Sequence, residues 1–368
     1  MRQPAHGGNL AWAAALAGCP PDAILDFSAS ISPLGPPNSA IAAIKSQIGN
    51  LKHYPDPNYS ELRLALSHFH QLPPEWILPG NGSAELLTLI GRELAQLAAT
   101  TLITPAFGDY YRTLAAYNAN VLECPLSLVN GHWSLTNNEG RKTKDKGLLL
   151  NNPHNPTGKL FSRDSILPYL EQFALVVVDE AFMDFVPPNE EQSLIPVVQE
   201  YPNLVILRSL TKFYSLPGLR LGYAIAHPDC LAKWQLWRDP WPVNTLAAAA
   251  AIAALQDTEF QQQTWAWLPP ARNQLFQGLA EIPGLQPQAS AANFLLVESQ
   301  ESTSQLQQQL LKYHQILIRD CLSFKELGDR FFRVAVRSQS DNQRLLTALN
   351  SVLSGEWGVG SGEWRVGE

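Results

Sequence analysis

Four short apolar runs, each leading into polar residues, constrain the fold of this chain most strongly. They span residues 101–104, 148–150, 175–178 and 204–207. The runs lack polar alternation, which is typical of strands buried on both faces of a sheet. Helical patterns, for example over 85–97 and 163–173, separate them. Alternating strands and helices predict an α/β domain with a mainly parallel sheet, whose ligands bind beyond the carboxyl ends of the strands.

The sequence after residue 242 predicts a second, smaller α+β domain. Pro240 and Pro242 disfavour regular structure just before it. An alanine-rich helix and a helix over about 270–279 follow, then strands at 293–297, 316–319 and 331–336, and a helix over 341–353. We expect an N-terminal segment joining the small domain (1–38), a large domain (39–242), an interdomain helix with the small domain (243–353), and a flexible repeat tail (354–368).

Composition narrows the classes of function. The 368-residue chain has a net charge of −7, which argues against nucleic acid as a partner because phosphate backbones attract basic surfaces. The longest apolar stretch, around 245–255, is too short to cross a bilayer, and the N-terminus lacks the apolar core of a secretory signal. The four cysteines show no metal-ligand or redox spacing, so we expect free thiols, no metal and a cytoplasmic location.

The neighbours of Lys212 indicate the chemistry. Lys212 follows the last apolar run, Ser209 and Thr211 precede it, and Arg220 lies eight residues after it. A lysine in such a setting forms an imine with an aldehyde cofactor, while hydroxyls and a guanidinium bind a phosphate. The combination suggests pyridoxal phosphate. The alternative is a solvated surface residue, which a lone lysine nearly always is.

Upstream segments supply the remaining candidates for a cofactor site. Asp179 closes a buried strand and would pair with a protonated pyridine nitrogen, a helix N-cap being the alternative. Asn155 lies in a turn-rich segment and would donate to the ring oxygen. The glycine-containing segment 80–85 precedes a helix, and its backbone amides suit a phosphate. Phe107 would stack on the ring, or else belong to the core.

The order of these features resembles the fold-type I pyridoxal-phosphate enzymes of the aminotransferase class, over residues 1–353. The resemblance implies a large domain with a mainly parallel seven-stranded sheet and a smaller α+β domain. It makes Lys212 and Asp179 the catalytic residues and Asn155 the partner of the ring oxygen. Tyr54 would reach the cofactor phosphate of the other subunit, which implies a homodimer with shared active sites. The residues implied around the phosphate are Gly82, Ser83, Ala84, Ser209, Thr211 and Arg220.

Two branches of that family fit best, the histidinol-phosphate aminotransferases and the threonine-phosphate decarboxylases of cobalamin biosynthesis. The start at His6 (His-Gly-Gly-Asn) is similar to the decarboxylases, and so is Phe182, where the aminotransferase usually has tyrosine. The resemblance implies that Arg337 holds a substrate carboxylate, and that Arg319 with His6 holds a substrate phosphate. Surface pairing is the alternative for both arginines. Ser30, implied to contact the substrate with Asn155, stands where the family commonly has asparagine.

The resemblance therefore implies decarboxylation of a small phosphorylated amino acid, with histidinol-phosphate aminotransferase as the alternative activity. The substrate would be L-threonine O-3-phosphate, and the products (R)-1-amino-2-propanol O-2-phosphate and carbon dioxide. Serine phosphate stays open as a substrate, because one methyl group is worth only about 1–3 kcal/mol of discrimination in an apolar pocket.

Overall fold

The computed structural model describes residues 7–127 and 144–355. Its largest sheet among these residues has seven strands, in the spatial order β2 (Ile77–Asn81), β8 (Leu221–Ala226), β7 (Leu204–Ser209), β6 (Leu175–Asp179), β5 (Lys146–Asn151), β3 (Ala99–Thr104) and β4 (Val121–Pro125). Strand β8 is antiparallel to both neighbours, and the other adjacent pairs are parallel. The predicted mainly parallel seven-stranded sheet is confirmed.

Both faces of this sheet are buried, which explains the continuous apolar runs. Val176 and Val178 of β6 belong to one hydrophobic core, whereas Val177 belongs to another. Successive side chains of a strand point to opposite faces, so the two cores lie on the two sides of the sheet. A strand of this kind needs apolar residues at every position, as the sequence pattern predicts.

The α-helices pack around the sheets. Within the described residues they are α1 (Leu10–Ala17), α2 (Asn38–Gln47), α3 (Ser60–His70), α4 (Gly82–Leu94), α5 (Gly108–Ala116), α6 (Arg163–Leu170), α7 (Pro228–Gln235), α8 (Thr245–Gln256), α9 (Thr258–Ala280), α10 (Thr303–His314) and α11 (Gln339–Ser354). In the part of the chain that the structure describes, none is both long and apolar enough to cross a membrane.

The C-terminal part contains a smaller antiparallel sheet. Its strands follow the order β12 (Arg319–Asp320), β13 (Phe331–Ala335), β10 (Phe294–Ser299) and β9 (Leu285–Pro287). The N-terminal strand β1 (Leu25–Asp26) pairs in parallel with β11 (Ile316–Leu317), so the start of the chain reaches this part of the molecule. The exact segment boundaries given above stay a prediction.

Helix α9 differs from its prediction. The sequence suggests a helix that begins near Pro270, yet α9 begins at Thr258 and continues through Pro269 and Pro270. The side chain of Asp257 caps it by accepting from the Phe260 amide over 3.0 Å. Buried residues recur along one face on both sides of the prolines, namely Phe260, Thr264, Leu268, Ala271, Leu275 and Leu279. This packing outweighs the local preference of proline to end a helix.

Candidate active site

A cavity of about 210 Å³ lies at the carboxyl ends of β5, β6 and β7. This is the edge at which open parallel sheets bind their ligands. The predicted residues that line the cavity are Ser30, Ser83, Ala84, Phe107, Asn155, Asp179, Ser209, Thr211, Lys212, Arg220 and Arg319. The fold therefore brings most of the sequence-predicted candidates to one place.

One end of the cavity is built for a phosphate. Ser83 and Ala84 lie in the first turn of α4, where free backbone amides and the helix dipole favour an anion. The hydroxyls of Ser209 and Thr211 lie 2.7 Å apart on the same cavity. Gly82 has a φ of +70°, and a Cβ there would lie 2.7 Å from Nη2 of Arg220. Glycine thus allows the guanidinium to approach the helix start.

Asp179 lies buried at the end of β6, with both carboxylate oxygens held. Oδ2 accepts from the Tyr110 hydroxyl over 2.7 Å, and Oδ1 accepts from the Ala181 amide over 3.0 Å. Burial raises the pKa of Asp179, while the Tyr110 hydrogen bond, the Ala181 hydrogen bond and the charge of Lys212 act in the opposite direction. A buried carboxylate aimed into a cavity suits a cationic ring nitrogen.

Lys212 is half-buried in the wall of the cavity. Burial, together with the charges of Arg333 and Arg220, lowers its pKa to about 8. Its main chain is fixed, because the Lys212 carbonyl accepts from the Ser32 amide over 3.0 Å. A lysine with a depressed pKa is partly neutral at physiological pH, which is the form that attacks an aldehyde.

A pair of arginines from the smaller sheet lines the cavity. Arg319 of β12 and Arg333 of β13 are direct cross-strand partners, both buried and both on the cavity. Side chains so paired stand about 5 Å apart at Cβ and share one face. Burial and the nearby Arg319 lower the pKa of Arg333 to about 10. Like charges placed this way are unfavourable unless anions bind between them, so the pair indicates an anionic ligand.

Both arginines hydrogen-bond to residues that line the cavity. Arg319 donates from Nη2 to the Ser323 hydroxyl over 2.6 Å. Arg333 donates from Nη1 to Oδ1 of Asn155 and from Nη2 to the Ser28 carbonyl over 3.3 Å. Its Nε is buried without a hydrogen-bond partner among the described residues. Because Oδ1 of Asn155 accepts from Arg333, the amide nitrogen of Asn155 is the donor left for a ring oxygen.

Arg333 is the site residue that the sequence interpretation missed. It assigned the carboxylate to Arg337, four residues further on. In the structure Arg337 lies outside the set of residues that line the cavity, pairs with Asp341 over 3.1 Å and donates to the Asp26 carbonyl over 3.1 Å. The structure therefore offers Arg333, rather than Arg337, for that role. Alternation would not have separated the two arginines, because both alternate with the core residues Phe332, Val334 and Val336. They differ in that β13 ends at Ala335, so Arg333 lies in the strand and Arg337 lies beyond it.

Three further predicted residues have different outcomes. Tyr54 lies outside the cavity of this chain, is 80% exposed and stacks on Trp241 with ring centroids 4.5 Å apart. His6 lies outside the described residues, although Gly7 lines the cavity. Ser30 lines the cavity, and its hydroxyl is buried without a hydrogen-bond partner in the described part of the chain. An unpartnered buried hydroxyl at this position is available to a ligand.

Comparison with known proteins agrees with this geometry. The family model "Aminotransferase class I and II" matches residues 22–349. The chain belongs to the class I and II aminotransferase family. It is 40% identical to the threonine-phosphate decarboxylase of Salmonella typhimurium, over 95% of this chain and 97% of that protein. It is 31% identical to the adenosylcobalamin biosynthesis bifunctional protein CobDQ of Leptospira interrogans, over 96% of this chain and 42% of that protein.

A solved structure extends the comparison with the aminotransferase family. The histidinol-phosphate aminotransferase of Sinorhizobium meliloti, in complex with pyridoxal 5'-phosphate, superposes with a TM-score of 0.84 at 23% identity. The alignment covers 95% of each chain. At this identity the likeness concerns the fold, which is that of an aminotransferase.

The residues of this site fit pyridoxal phosphate, the cofactor of the family. The helix start with Arg220, Ser209 and Thr211 matches its phosphate. The buried Asp179 matches the ring nitrogen, and Lys212 matches the aldehyde carbon. The chain is a pyridoxal-phosphate-dependent enzyme.

Proposed function

We propose that this enzyme decarboxylates L-threonine O-3-phosphate, giving (R)-1-amino-2-propanol O-2-phosphate and carbon dioxide, for assembly of the cobalamin nucleotide loop. The observation that carries the proposal is the buried cross-strand pair of Arg319 and Arg333 on the cavity wall. Two guanidinium groups match a substrate with two anionic ends, a phosphate and a carboxylate. The 40% identity to a threonine-phosphate decarboxylase supports the same substrate.

The two arginines have different surroundings, which suggests different roles. Arg319 shares its end of the cavity with the Ser323 hydroxyl, and a guanidinium with a hydroxyl suits the substrate phosphate. Arg333 donates to Asn155, whose amide nitrogen would donate to the cofactor's ring oxygen, so Arg333 suits the carboxylate on the reacting carbon. His6 would add to the phosphate contacts, as the family resemblance implies. Holding both ends of the substrate fixes its rotation relative to the ring.

Bound pyridoxal phosphate supplies an electron sink for the charge that develops at Cα. The residues of the protein determine which bond at Cα is broken. Asp179 holds the ring nitrogen in its protonated state, and Phe107 and Ala181 border the same cavity. Arg333 orients the carboxylate, so that the bond from Cα to the carboxyl carbon breaks and carbon dioxide leaves. A proton then returns to Cα, and Lys212 can hold and release a proton near neutral pH.

Phe182 also favours decarboxylation over amino transfer. It lines the cavity and packs edge-on against Phe294, with centroids 5.0 Å apart. A phenylalanine supplies no hydroxyl to the ring oxygen, where the aminotransferases usually have tyrosine. Asn155 is then the donor to that oxygen.

We further propose a cytoplasmic homodimer with shared active sites. Tyr54 is largely exposed and stacks on Trp241, and the exposed residues Ile48, Leu51 and Leu236 add apolar surface to this chain. An exposed apolar surface of this kind suits a second copy of the chain. From that copy, Tyr54 would contribute its hydroxyl to the cofactor phosphate of the first.

The decisive experiment incubates the purified, pyridoxal-phosphate-loaded enzyme with L-threonine O-3-phosphate in the absence of any oxo acid. We expect carbon dioxide and aminopropanol phosphate in equal amounts. The Lys212→Ala variant, loaded with cofactor and assayed in parallel, should form neither. Serine phosphate, tested next, should give ethanolamine phosphate if the site accepts it.

The opposite outcome identifies the rival activity. If no carbon dioxide forms, but amino transfer from histidinol phosphate begins once 2-oxoglutarate is added, the enzyme is an aminotransferase and the proposal fails. Dependence on an oxo acid separates the two activities, because amino transfer needs an acceptor and decarboxylation does not.

A further inference from the structure

Tyr110 is a buried tyrosine that contacts two of the residues proposed to hold the cofactor ring. It is 1% exposed and lies in the first turn of α5. Its hydroxyl donates to Oδ2 of Asp179 over 2.7 Å. Its ring packs edge-on against Phe107, with centroids 5.7 Å apart at 88°. One side chain therefore touches both the carboxylate at the ring nitrogen and the aromatic ring expected on the cofactor face.

The hydrogen bond acts on the charge of Asp179. A hydroxyl that donates to a carboxylate stabilises the ionised form, whereas burial favours the neutral form. Burial is the largest influence on the pKa of Asp179 and raises it. The other groups that act on this carboxylate are the Ala181 amide, the charge of Lys212 and, from α5, the charge of Asp109. Tyr110 is the side-chain donor among them.

The hydrogen bond from Tyr110 also fixes the orientation of the Asp179 carboxylate. The Ala181 amide holds Oδ1 and Tyr110 holds Oδ2, so the carboxylate plane cannot turn without losing a buried hydrogen bond. A hydrogen bond to a charged group contributes roughly 1.5–3 kcal/mol, equivalent to about a tenfold to a hundredfold change in an equilibrium or rate. That is enough to influence where the proton of an adjacent pyridine nitrogen resides.

We propose that Tyr110 is a positioning residue, which keeps Asp179 ionised and aimed at the cofactor nitrogen and so sustains protonation of that nitrogen. This role of Tyr110 depends on the family cofactor and on no feature of the proposed substrate. The 15N measurement of the ring nitrogen needs no substrate, so a failure of this proposal is distinguishable from a failure of the decarboxylase proposal.

The test is the Tyr110→Phe variant, reconstituted with pyridoxal phosphate labelled with 15N in the ring. We expect the 15N chemical shift of the ring nitrogen to move from the protonated toward the unprotonated value. With the preferred substrate, kcat should fall about tenfold to a hundredfold, while KM changes less than about threefold. Site-specific 3-fluorotyrosine at position 110, a stronger donor of the same shape, should keep the nitrogen protonated and so separates the hydroxyl from the packing of the ring.

Tyr223→Phe is the matched control. Tyr223 is also 1% exposed, and its hydroxyl lies 2.7 Å from Nε2 of His70, away from the cavity-lining residues. Removing it should lower the melting temperature by an amount similar to Tyr110→Phe and leave the 15N shift unchanged. If Tyr110→Phe likewise lowers only the melting temperature, with the 15N shift and kcat of the parent enzyme, Tyr110 is structural and the proposal is overturned.

Discussion

At the scale of single residues, charge and burial prepare Lys212 for its chemistry. Its pKa of about 8 reflects burial first, then the positive charges of Arg333 and Arg220. The three cations share one cavity, and the two arginines disfavour a proton on Lys212. The neutral amine is the reactive form, so the arginines that bind anions also raise the fraction of reactive lysine.

The rate at which the apoenzyme captures pyridoxal phosphate should therefore follow this pKa. With a pKa lowered to about 8, roughly a tenth of the amine is neutral at pH 7, and the neutral fraction grows as pH rises. We expect the rate to rise about tenfold from pH 6 to 7 and to level off above about pH 8. Stopped-flow absorbance measures it, with free lysine as the reference for titration of the cofactor itself. A rate that is constant from pH 6 to 9 would contradict the assignment.

Arg333 and Arg337 give a direct comparison between the structure and the sequence interpretation. Arg333→Met should lower kcat/KM for the phosphorylated amino acid by at least about a hundredfold, because it removes a buried charge that is proposed to bind the substrate carboxylate. Arg337→Met removes the partly exposed pair with Asp341 and the hydrogen bond to the Asp26 carbonyl, both outside the cavity lining, and should change kcat/KM less than about threefold. Steady-state kinetics on both variants decides. The reverse pattern would return the carboxylate to Arg337.

The residues that sequence could identify are those embedded in a local pattern. Lys212, Asp179 and Asn155 each end or follow an apolar run, and their order along the chain resembles a known family. Arg333 and Arg337 fall in one short segment with no such marker. Which of them faces the cavity depends on where β13 ends and on its register against β12, and pairing over a distance fixes both.

At the scale of elements, the contact between β8 and the start of α4 shapes the phosphate end of the cavity. Gly222 of β8 is so close that a Cβ there would lie 2.6 Å from the Ser83 amide nitrogen and 2.8 Å from the Arg208 carbonyl oxygen. Both neighbours are backbone atoms, so neither can turn aside as a side chain would. The strand and the helix therefore hold each other in place.

Gly222→Ala should weaken cofactor binding, because it displaces the amide that faces the phosphate. Overpacking of this kind costs roughly 1–3 kcal/mol, so we expect the Kd for pyridoxal phosphate to rise about fivefold to a hundredfold. Gly218→Ala is the control, since a Cβ at Gly218 meets no atom within 4 Å. Fluorescence titration of both apoproteins measures the difference. Equal affinities in the two variants would show that the close contact does not shape the site.

At the scale of the whole molecule, the sequence predicted the parallel strands of the seven-stranded sheet better than the antiparallel strands β8 and β2 at one edge. Four of the parallel strands contain the short apolar runs identified in the sequence, as expected. Strand β8 contains Gly222, and its partner β2 contains Pro79 and Gly80, so neither has a clear strand pattern. Their antiparallel pairing depends on contacts between residues 140 or more positions apart. Local sequence carries little information about such a pairing.

The proposed homodimer with shared active sites can be tested with mixed dimers. A dimer of one Lys212→Ala chain and one Tyr54→Phe chain would contain one site with a normal Lys212 and a normal Tyr54. Refolding equal amounts together should therefore raise specific activity above the mean of the two parents. A mixture of Lys212→Ala with Arg333→Met serves as the control, because both residues belong to the site of the same chain. If the specific activities of the two mixtures change equally, or if light scattering shows a monomer, the shared site is contradicted.

The cross-strand arginine pair has a consequence for the end of the catalytic cycle. On the proposed reaction, the substrate enters with two anionic groups and the product retains one. Arg319 keeps its phosphate, whereas Arg333 is left facing an uncharged carbon beside another buried cation. Each turnover thus removes the carboxylate, which is one of the two groups through which the enzyme would bind its substrate. Affinity falls at the moment of bond cleavage, and departure of the amine follows from the loss of that one charge.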